Sequence, residues 1–97
     1  MVRNVRTQQS ITKKQALVLW VVDQHGPITV RDVAEHLNVG TSAANSRMRG
    51  LMDKRLVDYG PNEHRHGRFV DTFRITTTGK RVLEAQSDLL EAEMDAS

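Results

Sequence analysis

GTSAANSRMRGL, residues 40–51, opens with seven small or amide-bearing residues and then places two arginines around a single methionine. Wound at about 100° per residue, the segment and its continuation to Lys54 bring Ala44, Met48, Leu51 and Met52 onto one arc, next to Arg47. The opposite arc carries Ser42, Asn45, Ser46 and Arg49. One face has enough apolar surface to hold the helix down, and the other is thin and rich in hydrogen-bonding groups. Small side chains let a helix backbone approach another surface closely, and Ser, Asn and Arg can hydrogen-bond base edges in a major groove wide enough for a helix. A solvated helix face has the same composition, so the neighbouring elements must decide.

Immediately upstream, Thr29 and Asp32 have the spacing of a capping box, and VRDVAEHL then carries Val30, Val33, Ala34 and Leu37 as an apolar stripe. This second helix ends at Asn38, and only Asn38–Gly40 separate it from the helix of residues 41–54. Two short helices joined by so tight a turn form a helix-turn-helix. Further upstream, Thr12 and Gln15 again have capping-box spacing. They open a first helix in which Ala16, Leu17, Trp20 and Val21 recur at helical spacing, closed by Gly26 and Pro27.

Downstream, LVDYG at 56–60 reads as a strand, PNEHRHG at 61–67 as a turn-rich loop, and RFVDTFRIT at 68–76 as a second strand with Phe69, Asp71, Phe73 and Ile75 on one face. Together they make a hairpin whose tip, residues 60–68, holds Arg65, His66 and Arg68 around Gly67. Thr76 stands where an N-cap belongs, and a last helix follows despite Gly79 in its first turn. From Val82 onward it has Val82, Leu83, Leu89, Leu90 and Met94 on one side and Glu84, Asp88, Glu91 and Asp95 on the other. Leu83, Leu89, Leu90 and Met94 are the candidates for a homodimer interface, because the helix runs past what one small body should cover.

Charge divides along the same lines. Residues 1–81 hold all 14 Lys and Arg against seven acids, whereas residues 82–97 hold five acids and no base. A basic body with an acidic tail fits a polyanionic partner, nucleic acid above all. The predicted organisation is a flexible basic arm over 1–11, with Arg3 and Arg6, a DNA-binding domain over 12–81, and an acidic amphipathic helix over 82–97 for dimerisation. No apolar run approaches the roughly 18 residues of a membrane span, no signal-like segment opens the chain, and there is no cysteine. A cytoplasmic protein with no membrane association is expected.

No nucleophile elbow, phosphate-cradling Gly loop or metal quartet is present, so an enzyme is not expected and no cofactor is called for. His64 and His66 beside Glu63 do not make a closed metal site, and His25 and His36 have no evident partners in the sequence.

The order helix, helix, tight turn, helix, basic hairpin, helix is a winged helix-turn-helix, mainly α with a small β-hairpin (α+β). ITVRDVAEHLNVGTSAANSRMRGLMDKRLVDYG followed by FRITTTGKRVLEA resembles a winged-helix transcriptional regulator of the multiple-antibiotic-resistance regulator (MarR) type. The resemblance spans roughly Thr12 to Ala85 and includes the ITTTG turn into the last helix. It implies a short strand ahead of the second helix and a regulator of double-stranded DNA; with the apolar side of the last helix, the expectation is a dimer, most simply a repressor. Thr41, Ser42, Asn45, Ser46 and Arg49 would then face bases or backbone, and Arg47 the phosphates. Lys54 and the wing residues Arg65, His66 and Arg68 are further candidates for phosphates or the minor groove. Two departures stand out: Gly40 where a Ser cap is frequent, and Arg55 where Gly usually ends the recognition helix. The rival expectation is an adaptor that binds another protein through the winged body or the acidic helix.

Overall fold

A computed structural model describes the backbone of residues 11–96 and the side chains of residues 11–86. Its elements are α1 (Lys13–His25), α2 (Val30–Leu37), α3 (Thr41–Asp53), β1 (Val57–Tyr59), β2 (Glu63–Arg65), β3 (Arg68–Val70), β4 (Phe73–Ile75) and α4 (Thr77–Ala96). The predicted arm falls almost wholly outside the described residues, as do the side chains of Leu89, Leu90 and Met94.

Capping chemistry sets the helix starts. Thr12 accepts from the Gln15 backbone N–H at 3.1 Å, and the Thr12 N–H donates to Gln15 Oε1 at 3.1 Å, so both halves of the first capping box are made. At α2 only one half forms: the Asp32 N–H donates to Thr29 Oγ1 at 3.1 Å, while the Asp32 carboxylate turns elsewhere. Gly40 caps α3 with no side-chain hydrogen bond. Thr76 Oγ1 accepts from the Gly79 N–H at 3.0 Å and lies 2.8 Å from the Arg55 carbonyl, to which it donates, joining the start of α4 to the end of α3. Gly79 is there because the helix passes so close to β1 that a Cβ would run into the Leu56 carbonyl oxygen.

α2 and α3 terminate alike. After α2, Asn38 has φ 56°, its N–H donates to Glu35 O at 3.2 Å, and the Val39 N–H donates to Ala34 O at 3.0 Å. After α3, Arg55 has φ 60°, its N–H donates to Met52 O at 2.9 Å, and the Leu56 N–H donates to Leu51 O at 2.9 Å. Both are Schellman-type ends, which need one left-handed residue. Asn tolerates that conformation and Arg pays for it in strain, as the departure at Arg55 suggested.

The core gathers Val18, Leu19, Val21 and Val22 of α1, Val33 and Ala34 of α2, Ala44, Met48 and Leu51 of α3, then Ile28, Leu56, Val57, Phe73, Val82 and Leu83. The expected seams of α2 and α3 are therefore the buried ones. That of α1 is so only in part: Val21 is buried, but Leu17 and Trp20 are half exposed, and Val18, Leu19 and Val22 lie inside instead. Ala16 to Val22 are all apolar, so spacing alone cannot select a face. Leu83, expected at a dimer interface, packs into the core of its own domain.

The predicted hairpin of two long strands is divided into two short sheets. β1 pairs antiparallel with β4, Val57 opposite Ile75, and β2 pairs antiparallel with β3, His64 opposite Phe69. The predicted loop 61–67 thus contains a strand, and the predicted strand 68–76 is interrupted at Asp71–Thr72. Thr72 is buried and its hydroxyl donates to the Pro61 carbonyl at 2.5 Å, closing the base of the wing at the point where the chain changes sheet. Phe69 and Phe73 consequently do not share a face: Phe73 is buried and Phe69 is 73% exposed. The expected short strand before α2 is a single bridge from Ile28 to Phe73.

Candidate nucleic-acid interface

α3 is held from below by Ala44, Met48 and Leu51, each at most 1% exposed. A side chain of leucine size buried in this way contributes about 1.5 to 3 kcal/mol. With that arc fixed, Thr41, Ser42, Asn45, Ser46 and Arg49 all stand exposed, while Arg47 and Lys54 are half buried at its flanks. The helix presents a polar surface with no bulky apolar side chain on it.

The wing lies beside this surface. His66 and Gly67 have φ of 52° and 79°, so two consecutive left-handed residues make a tight turn that suits the right-handed twist of β2 and β3. His66 and Arg68 are exposed at the tip. On the outer face the ring of His64 lies 5.0 Å from that of Phe69.

Arg65 points inward. Its Nη1 and Nη2 donate to Asp32 Oδ1 and Oδ2 at 3.1 and 2.7 Å, and its Nε donates to Glu63 Oε1 at 2.6 Å. A planar guanidinium matched to a carboxylate in this two-pronged way is the strong form of the pair. The hydrogen bonds from Arg65 hold the Asp32 carboxyl below its ordinary range, and those to Asp32 and then Glu63 raise the Arg65 guanidinium further above its own. Arg65 is thus engaged within the protein rather than exposed at the tip.

An open cleft of about 750 Å³ runs between α2, α3 and the wing, lined among others by Arg31, Asp32, Asn45, Arg65, His66 and Arg68. The fold therefore brings Asn45 of the helix and His66 and Arg68 of the wing to one concavity. Ser42, Ser46, Arg47, Arg49 and Lys54 do not line it. Arg31 is a cation of this cleft that sequence reasoning missed; its position opposite the apolar stripe of α2 was the available signal. His25 and His36 do have a partner, since their rings stack on one another at 4.2 Å. Among the described residues no group of three His, Cys, Asp or Glu side chains is placed to hold a metal ion. No helix among them is long and apolar enough to cross a membrane.

Three helices, the third exposing a thin polar face, and a β-hairpin beside it define a winged helix-turn-helix domain. The family model described as MarR family matches residues 9–66, and the chain belongs to that family. The uncharacterized HTH-type transcriptional regulator YdgG of Bacillus subtilis is 30% identical over 74 residues, covering 76% of this chain and 49% of YdgG. Among solved structures, Rv1404 of Mycobacterium tuberculosis superposes with a TM-score of 0.76 at 25% identity, over 94% of this chain and 60% of that one. The Staphylococcus aureus MepR–DNA complex superposes with a TM-score of 0.71 at 21% identity, over 93% of this chain and 64% of MepR. The chain spans about half the length of YdgG and about three fifths of these structures.

Proposed function

We propose that this domain is the DNA-reading part of a cytoplasmic transcriptional regulator that binds double-stranded DNA as a homodimer and represses by occupying its site. The observation that carries the reading is the exposed polar face of α3 beside a cleft shared with the wing tip. Family membership supports it, as does a solved complex of MepR with DNA. In this reading α3 enters the major groove. Ser42, Asn45, Ser46 and Arg49 discriminate bases, with Thr41 at the helix start. Arg47, Lys54 and Arg68 supply phosphate contacts and His66 reaches the adjacent groove, so that most of the affinity depends on salt. With Arg65 engaged by Asp32 and Glu63, the wing-tip contacts fall to His66 and Arg68. Half-exposed Leu17 and Trp20 on α1, together with the apolar Leu89, Leu90 and Met94 of the α4 sequence, support association with a second copy.

The test is selection of bound fragments from a random duplex pool at two salt concentrations. An enriched palindrome is expected, and it would report site and dimer together. Absence of any enriched sequence at either salt would overturn specific DNA reading and favour a protein partner for the winged body or the acidic helix.

A further inference from the structure

The wing has little to hold it in place. β2 and β3 are three residues each, neither contains a buried side chain, and Phe69 and His64 face outward. A two-stranded ribbon of this size is marginal by itself. Its base is closed by the Thr72 hydroxyl and by the Gly60 N–H, which donates to the Thr72 carbonyl at 2.9 Å, and neither hydrogen bond reaches across to the helix-turn-helix.

The contact that does so is Arg65 with Asp32. It joins residues 33 apart in the chain, and Asp32 sits in the first turn of α2, the helix that packs directly on α3 through Val33 and Ala34. Whatever fixes Arg65 to Asp32 therefore fixes the wing to the scaffold of the recognition helix. Two carboxylates, Asp32 and Glu63, engage each of the three nitrogens of the one guanidinium, occupying three of its five N–H donors. That cluster carries a net negative charge and offers a phosphate little. A cation kept for DNA would be left exposed, as Arg68 is.

We propose that Asp32 is a positioning residue for DNA binding: by gripping Arg65 it holds the wing at a set distance and angle from α3, and Arg65 is the anchor of the wing rather than one of its phosphate contacts. The proposal rests on the DNA-binding reading above. Wing and helix must meet one duplex together, so a wing ordered beforehand spares the ordering cost at the moment of binding.

The two roles of Arg65 predict opposite signs. Asp32→Asn and Arg65→Lys each remove the two-pronged pair while leaving the helical core intact, which thermal melting would verify. Each should weaken binding to the selected duplex by about tenfold, the cost of ordering a few side chains on binding. The double variant should be no weaker than either single one. The dependence of log K on log salt should keep its slope, and amide exchange in residues 63–70 of the free protein should accelerate with α1 to α3 unchanged. If Asp32→Asn instead tightens binding and steepens the salt slope by about one, Arg65 is a phosphate contact that Asp32 restrains, and the proposal is overturned. Unchanged amide exchange over 63–70 in both variants would overturn it as well. That readout needs no DNA, so it decides the anchor even if the parent protein binds no duplex, an outcome that would remove the DNA reading alone.

Discussion

The recognition helix and the wing face the same cleft but are held in place by different physics. α3 rests on fully buried Ala44, Met48 and Leu51, so its orientation is set by many close contacts inside a shared core. The wing rests on the Arg65–Asp32 pair and, at its base, on the Thr72 hydroxyl and the Gly60–Thr72 backbone hydrogen bond, with β2 and β3 side chains that are half buried or exposed. Core packing is insensitive to salt and mild pH and expensive to disturb, whereas a polar latch is directional and can be released without unfolding its neighbours. On this account α3 belongs to the global folding unit, and the wing to a smaller one expected to open locally.

The largest expected effect sharpens the first half of that comparison. Leu51→Ala removes a fully buried side chain beneath the recognition helix and should cost about 2 to 5 kcal/mol in denaturant unfolding. Gly79→Ala comes next. The added methyl meets the Leu56 carbonyl, which cannot yield without moving β1, so a loss of about 1 to 3 kcal/mol in the same measurement is expected. Arg55→Gly should work in the opposite direction. Relief of the left-handed residue, offset by the greater freedom of glycine in the unfolded chain, should leave a gain of about 0.5 to 1 kcal/mol.

The smallest effect concerns the wing. The Arg65 hydrogen bonds lower the Asp32 pKa in the folded state, so the stabilisation they provide is present above the unfolded-state value, about 4, and is lost as pH falls through the lower folded value. Amide exchange of residues 63–70, corrected for its intrinsic pH dependence, should show constant protection between about pH 5 and 8 and a loss confined to stronger acid. Loss of that protection near neutrality would contradict the latch.

How far the sequence revealed these features follows from the same contrast. The helix-turn-helix was legible because its signals are local: Thr12 with Gln15, Thr29 at the second cap, Asn38 at the turn, and apolar residues three and four apart at Ala44, Met48 and Leu51. α1 was misread at Leu17 and Trp20 because seven consecutive apolar residues carry no phase. The break between β3 and β4 escaped notice because alternation continues through Asp71 and Thr72, and only the buried hydroxyl of Thr72 reveals the change of sheet. Among the candidate DNA contacts, the exposure of the α3 residues followed from the buried arc opposite them. The engagement of Arg65 did not, since a pairing 33 residues away leaves no periodic trace and Asp32 had a sufficient local role beside Thr29.

The claim that α3 reads sequence is tested most directly at Arg49, which is exposed on the face opposite Met48 and Leu51. Affinity of the parent and of Arg49→Ala would be measured on the selected duplex and on a scrambled duplex of equal length, at one fixed salt concentration. A loss of about 1 to 3 kcal/mol on the selected duplex, with a much smaller loss on the scrambled one, is the predicted result. Equal losses on the two would mean that Arg49 contributes charge alone, and the reading face of α3 would have to be assigned elsewhere.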